Sequence, residues 1–404
     1  MVPSRSLSSL LALPALAFLS LSASASPHPR TASSTATLKL AVRINSYGIQ
    51  NIAVADRARI QAQQAGGSSS INVTNNMMLY TADIGVGSPP TYYTVLIDTG
   101  NANIWIGAKK PYEKTATSQD TGNTFSIAYG DGSSVSGEEY TDTVTLNSDL
   151  VISNQSIGVA SQTSVVEGIN GFLGLGPVDL TRGTVSNTGE VAPVMENLYM
   201  QGTIGSEVLG VFFAPASSDD SSGELTFGDY DASKITGDIS YVPITSTSPA
   251  STFWGIDQSI SYGDTPILNQ KAGIVDTGCT LILLATDAFE KYQSATGGTL
   301  DEATSLLKIS SDQYEKLSSL YFTIGELTYE LTPNAQIWPR SLNTVVHGDA
   351  NSIYLVVADI GNPSGSGLDF VNGYYFLERF YSVYDTTNSQ VGFATTEWTY
   401  AITN

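Results

Sequence analysis

The tripeptide Asp-Thr-Gly occurs twice, each time behind an apolar run: Val95-Leu96-Ile97-Asp98-Thr99-Gly100 and, 178 residues later, Gly273-Ile274-Val275-Asp276-Thr277-Gly278. Asn101-Ala102-Asn103-Ile104-Trp105 follows the first copy and Cys279-Thr280-Leu281-Ile282 the second. Each copy reads as a strand that delivers an acid into a tight glycine turn before the chain returns to apolar sequence. One such turn is an ordinary strand end. Two with matched flanks point to a duplicated fold that brings two carboxylates together. Close carboxylates do not both ionise easily, so they share a proton. Such a pair can take a proton from water and give one to a leaving group.

The rest of the chain fits a β-rich body. Short alternating segments are predicted as strands at Tyr92–Ile97, Phe125–Tyr129, Glu139–Leu146, Glu224–Phe227 and Phe322–Leu331, punctuated by Gly, Asn, Asp and Ser clusters. Short helices are predicted at Pro193–Met200, Asp287–Ala295, Ser311–Leu320 and Phe376–Tyr381. Two further elements repeat: Phe172-Leu173-Gly174 ends 76 residues after Asp98, and Val371-Asn372-Gly373 ends 97 after Asp276. The boundary between the halves is expected near residue 240, giving segments 71–240 and 241–404.

These motifs resemble the pepsin-like aspartic endopeptidases, from about Asn76 to the C-terminus. The resemblance rests on both Asp-Thr-Gly turns, on Trp105, and on Ile127-Ala128-Tyr129-Gly130-Asp131-Gly132, which looks like the family's flap. It rests also on Gly171-Phe172-Leu173-Gly174-Leu175-Gly176 and on the run Gly373-Tyr374-Tyr375-Phe376-Leu377-Glu378-Arg379-Phe380-Tyr381-Ser382-Val383-Tyr384-Asp385. The Gly-Asp-Gly-Ser-Ser flap and the lack of a cysteine pair are most similar to secreted fungal members of the polyporopepsin type. The resemblance implies an all-β, bilobal fold of two related β-barrel-like lobes with a cleft between them. It implies an acid endopeptidase in which Asp98 and Asp276 hold the attacking water, with no covalent intermediate and no cofactor. The alternative reading is a weak or inactive binding or inhibitor protein on the same scaffold.

By the same resemblance, the Thr99 and Thr277 hydroxyls reach across to the opposite turn, and Gly100 and Gly278 allow close backbone approach. Tyr129 closes over the substrate and bonds toward Trp105. Leu96, Ile169, Phe172, Ile274 and Val371 match apolar pocket positions, so large apolar residues should flank the cut bond; each of the five also reads as plain core. Three residues depart from the family pattern. Asn101 and Cys279 stand where hydroxyl side chains usually donate to the outer oxygens of the acid pair; an amide still donates, a thiol weakly. Tyr374 stands where many relatives carry an acid. Asp131, at the flap tip, is expected to accept Lys before the cut bond, as in fungal relatives with a similar flap, or else to cap its own turn.

The ends of the chain read differently. Arg5, the apolar stretch Leu10 to Leu21 and Ala23-Ser24-Ala25 form a predicted signal peptide, residues 1–25. Residues 26–70 carry Arg30, Lys39, Arg43, Arg57 and Arg59 against Asp56 alone, a net charge of +4, while residues 71–404 carry 11 basic and 37 acidic residues, a net of −26. A basic leader on an acidic body favours docking at neutral pH, so residues 26–70 are expected to be a propeptide, with Lys39 a candidate for reaching the acid pair. Gln64-Ala65-Gly66-Gly67-Ser68-Ser69-Ser70 is a plausible processing site.

Charge and composition also narrow the alternatives. An acidic body does not suit nucleic acid. One cysteine and two histidines, His28 and His347, supply no metal-ligand cluster and discount a serine triad. The expected partners are an extended peptide or unfolded protein and the chain's own propeptide, with no membrane and a monomeric state. Asn72-Val73-Thr74 and Asn154-Gln155-Ser156 are glycosylation motifs, and an extracellular, secreted product is expected.

Overall fold

The computed structural model describes residues 35–44, 51–65, 78–128, 134–164, 168–218 and 222–404. The predicted signal peptide, His28, Asn72, most of the predicted processing site and the flap tip with Tyr129, Gly130 and Asp131 lie outside the described residues. No helix among the described residues is long and apolar enough to cross a membrane.

Strands dominate the described residues, in sheets of thirteen, seven and three strands. The duplication visible in the sequence recurs in the pairing. In the first half, Val95 to Asp98 run parallel to Gly171 to Gly174, with Asp98 opposite Gly174. Ile104–Ile106 pairs antiparallel on the other side of that glycine strand. In the second half, Ile274 and Val275 run parallel to Val371 and Asn372, and Ile282–Leu284 pairs antiparallel beyond them. Each glycine-ended strand is thus threaded between the strands that enter and leave an Asp-Thr-Gly turn. Glycine is required there: a Cβ on Gly174 would lie 2.5 Å from Ala102 C and from Asn103 N. Asn372 makes the second copy polar, and its amide exchanges two hydrogen bonds with Gln258, at 2.9 and 3.1 Å.

The halves are not separate sheets. Ser240–Pro243, at the expected boundary, and Phe380–Asp385 and Gln390–Thr395, beyond it, belong to the thirteen-stranded sheet that also holds Thr91–Asp98. Aromatic packing ties the same region. Tyr80 stacks on Phe213 with ring centroids 3.9 Å apart and meets Tyr374 at 5.2 Å. The buried Tyr374 hydroxyl accepts the Ala216 N–H at 2.9 Å, so this tyrosine joins the core.

Several elements differ from the sequence expectation. Val194–Met200 and Thr286–Thr296 are helical as expected. The segment from Ser311 stops at Tyr314, because the residues beyond it are drawn into the sheet that starts at Leu320; the Ser318 N–H goes to the Tyr262 hydroxyl. Tyr374–Leu377 replaces the helix expected at Phe376–Tyr381, since Phe380 already opens a buried strand. The single strand expected over Phe322–Leu331 is a hairpin, Leu320–Ile324 and Leu327–Leu331, with Gly325 supplying the positive φ of the turn.

Two elements of the basic leader are ordered against the body. Strand Ala36–Ile44 pairs with Ser222–Phe227 on one side and Met78–Val86 on the other. Helix α1, Ile52–Ala65, begins at Asn51, whose side chain accepts the Val54 N–H at 3.0 Å. Ile52, Ala53, Ala55, Ala58 and Ile60 are buried, and so are Asp56 and Arg59. A helix buried on both its apolar and its charged positions must meet partners for the charges.

Candidate active site

The two turns meet symmetrically. The Thr99 N–H donates to the Thr277 hydroxyl and the Thr277 N–H to the Thr99 hydroxyl, each at 3.0 Å. The Thr277 hydroxyl donates onward to Ile97 O at 3.2 Å and that of Thr99 to Val275 O at 3.5 Å. Asp98 Oδ1 accepts the Gly100 N–H at 2.9 Å, and Asp276 Oδ1 accepts the Gly278 N–H at 2.8 Å. A Cβ on Gly100 would lie 2.6 Å from Asp276 Oδ2, and one on Gly278 would lie 2.6 Å from Asp98 Oδ1. Each glycine therefore packs on the other turn's carboxylate, and only glycine leaves room for it. Asp98 and Asp276 are both fully buried.

A cation sits on this pair. Arg59 of α1 donates through Nη2 to Asp98 Oδ1 at 2.6 Å and through Nε to Asp276 Oδ2 at 3.1 Å. Burial works against the guanidinium charge, but the two carboxylates outweigh it and hold the Arg59 pKa well above its ordinary value. Burial raises the pKa of Asp98; the guanidinium opposes that rise and the Asp276 charge adds to it. One shared proton would leave the pair with a single negative charge, which one guanidinium balances.

Lys39 does not reach the pair. Strand register places it opposite Glu224, with which it forms an ion pair. Arg59, Arg57 and Asp56 entered the sequence reading only as charges. The signal available was the spacing: Asp56 and Arg59 are one helical turn apart, among residues whose apolar character marks them for burial. Asp56 Oδ2 accepts the N–H groups of Leu281 at 2.7 Å and Thr280 at 3.1 Å, directly after the second turn. Burial pushes the Asp56 carboxyl up to about 7, partly offset by those two N–H groups.

The departures at Asn101 and Cys279 have specific outcomes. Asp98 Oδ2 is buried with no hydrogen-bond partner among the described residues, so the donation expected from the Asn101 amide is absent. Asn101 Oδ1 instead accepts the Asn103 N–H at 2.8 Å. Cys279 is buried, and its thiol faces Leu281 O at 3.6 Å. Burial, with Asp56 and Asp276 nearby, raises the thiol pKa well above its usual value. A thiol in that state is not a nucleophile.

Trp105 is buried and stacks on Phe172 at 5.1 Å. Leu96, Ile169 and Phe172 gather with Trp105, Phe125, Val135 and Val185 in a small cluster separate from the main core. Ile274 and Val371 lie paired inside the main core. Asn154 is exposed, on the strand Val151–Thr163.

Residues 79–396 match the family described as Eukaryotic aspartyl protease. The chain belongs to the pepsin-like aspartic proteases. It is 56% identical to polyporopepsin of Irpex lacteus over 341 residues, 83% of this chain and all of that protein. Identity to rhizopuspepsin-1 of Rhizopus niveus is 32% over 71% of this chain and 75% of the relative. The crystal structure of the aspartic proteinase from Irpex lacteus superposes with a TM-score of 0.80 at 51% identity, covering 92% of this chain and all of that one. The fold is therefore the all-β bilobal pepsin fold, and the protein is an acid aspartic endopeptidase. Helix α1 lies wholly ahead of the matched residues.

Proposed function

We propose that this chain is the secreted precursor of an acid endopeptidase and that residues 26–70 are its propeptide, with Arg59 the residue that blocks catalysis. One observation carries this reading. A guanidinium from outside the family match rests on both Asp98 and Asp276, where a catalytic water would have to bind. With α1 gone, Asp98 and Asp276 hold that water between them. One carboxylate takes its proton as the oxygen attacks the peptide carbonyl, and the other protonates the carbonyl oxygen. The tetrahedral diol then collapses and the amine leaves with a proton.

The turn geometry supports these roles. The crossed Thr99 and Thr277 bonds fix the acids in place without touching substrate. Leu96, Ile169 and Phe172 supply an apolar wall suited to large apolar side chains next to the cut bond. On the flap, Tyr129 closes over an extended peptide, and Asp131 offsets the cost of burying a Lys before the cut bond. The mature enzyme is read as an extracellular monomer carrying sugar at Asn154 and Asn72.

The test is to express the full chain, hold it at neutral pH, and follow cleavage of a Phe-containing peptide after acidification. The expected result is latency, then activity, with a shorter chain beginning near residue 70. Asp131→Ala should then lose cleavage after Lys and keep cleavage after Phe. An unprocessed precursor that is fully active at its first assay point rejects the propeptide reading.

A further inference from the structure

Arg57, two residues before Arg59 on α1, meets a second polar site on the body. Its Nε donates to Asp359 O at 2.8 Å, and its Nη2 lies 3.5 Å from Asp359 Oδ2. The other carboxylate oxygen, Asp359 Oδ1, is already held by the Thr286 hydroxyl at 2.7 Å and the Gly361 N–H at 2.8 Å. The carboxylate is therefore fixed from the body side, with Oδ2 and the backbone carbonyl presented to a cation. Beside them, Gly361 has a φ of +96°, and a Cβ there would lie 2.7 Å from Arg57 Cδ. The missing side chain makes a slot for an aliphatic stem that ends at two acceptors. None of Asp359, Thr286 and Gly361 belongs to α1, so all three remain when the helix departs.

We propose that Asp359, Thr286 and Gly361 form a cation-selecting subsite of the open cleft, which takes a Lys or Arg side chain of the substrate in the place of Arg57. The inference rests on the removal of α1 proposed above. Residues two apart on a helix have Cα atoms about 5 Å apart, and an extended peptide advances about 3.3 Å per residue. The subsite therefore serves a position within about three residues of the cut bond. It is distinct from the Lys site assigned to Asp131, which serves the residue immediately before that bond. The Arg57–Asp359 pair is partly exposed, with side-chain exposures of 36% and 19%, so salt should weaken the selection.

The experiment uses the full chain activated in acid and peptides with Phe fixed before the cut bond. Lys and norleucine are exchanged at each of the other positions within three residues on either side. The subsite predicts one position where Lys raises kcat/KM by about tenfold over norleucine, the scale of one charge-assisted hydrogen bond. That ratio should fall as salt is added, move toward one in Asp359→Asn, and drop below one, in favour of norleucine, in Asp359→Lys. If the activated enzyme cuts the Phe peptides but favours Lys at no scanned position, the subsite is rejected and the endopeptidase reading stands. A Lys preference that survives in Asp359→Asn also rejects it. Failure to cut any peptide after acidification rejects both readings.

Discussion

Thr99 and Thr277 each accept the other's backbone N–H at 3.0 Å, across 178 residues of sequence. Their hydroxyls hydrogen-bond to backbone groups of the opposite turn, and together they fix where the two acids stand. Replacing either with Val should leave a buried N–H unpaired and cost about 1–3 kcal/mol of stability. Thermal melts of the precursor should show the loss, and peptide cleavage should fall because the carboxylates are less well held. Thr→Ser at the same position should restore most of both, since it keeps the hydroxyl.

Asp98→Asn and Asp276→Asn should each lower peptide cleavage by about a thousandfold or more, because each removes one half of the proton relay. The fold should persist, since an amide fits the same space. Activity measured with freshly activated protein, beside a melting curve, checks both statements. Turnover retained in either variant would remove the paired-acid mechanism.

Arg59→Gln should abolish latency. Removing one partner of a buried ion pair costs about 3–5 kcal/mol, here charged against the docking of α1. The variant should cleave peptide without the lag seen in the parent chain after acidification. Arg59→Lys should keep part of the lag, since an ammonium satisfies the charge but not the forked geometry. Lys39→Ala should change the lag far less, because Lys39 pairs with Glu224 instead of the acids.

Asp56 gives docking a pH dependence of its own. Its carboxyl lies at about 7 when docked, against an ordinary value of 3.8. Docking therefore takes up a proton between those values. The contribution of Asp56 to docking is fully present below pH 3.8 and is lost as the pH rises through about 7. Asp56→Asn, which keeps an acceptor for Thr280 and Leu281 without burying a charge, should hold α1 more tightly at and above neutral pH. Protease susceptibility of α1 across the pH range reads this out: protection in the variant should exceed the parent's near pH 7, and the two should converge toward pH 3.8.

Cys279→Thr should be tolerated, and iodoacetamide should react slowly with the native enzyme. The thiol is buried, its pKa is raised, and among the described residues no histidine hydrogen-bonds to it. Rapid inactivation by alkylation together with an inactive Cys279→Ala would contradict this.

Both Asp-Thr-Gly turns, their apolar strands and the glycine elements that thread between them were legible in the chain, because strand period and turn chemistry are local properties. The docking of a basic leader on an acidic body was legible as net charge. Which basic residue reaches the acids was not. A charge count has no direction, whereas strand register turned Lys39 toward Glu224 and helix rotation turned Arg59 inward. The helix begun at Ser311 ended after one turn for a similar reason: its cap is local, but the pull of the neighbouring sheet on Leu320 is not. Asn101 could be read as a donor from its chemistry alone. The Asn103 N–H took the amide's oxygen, and Asp98 Oδ2 has no hydrogen bond among the described residues. Residue type determined what each side chain is able to do, and packing decided which of its partners lay within reach.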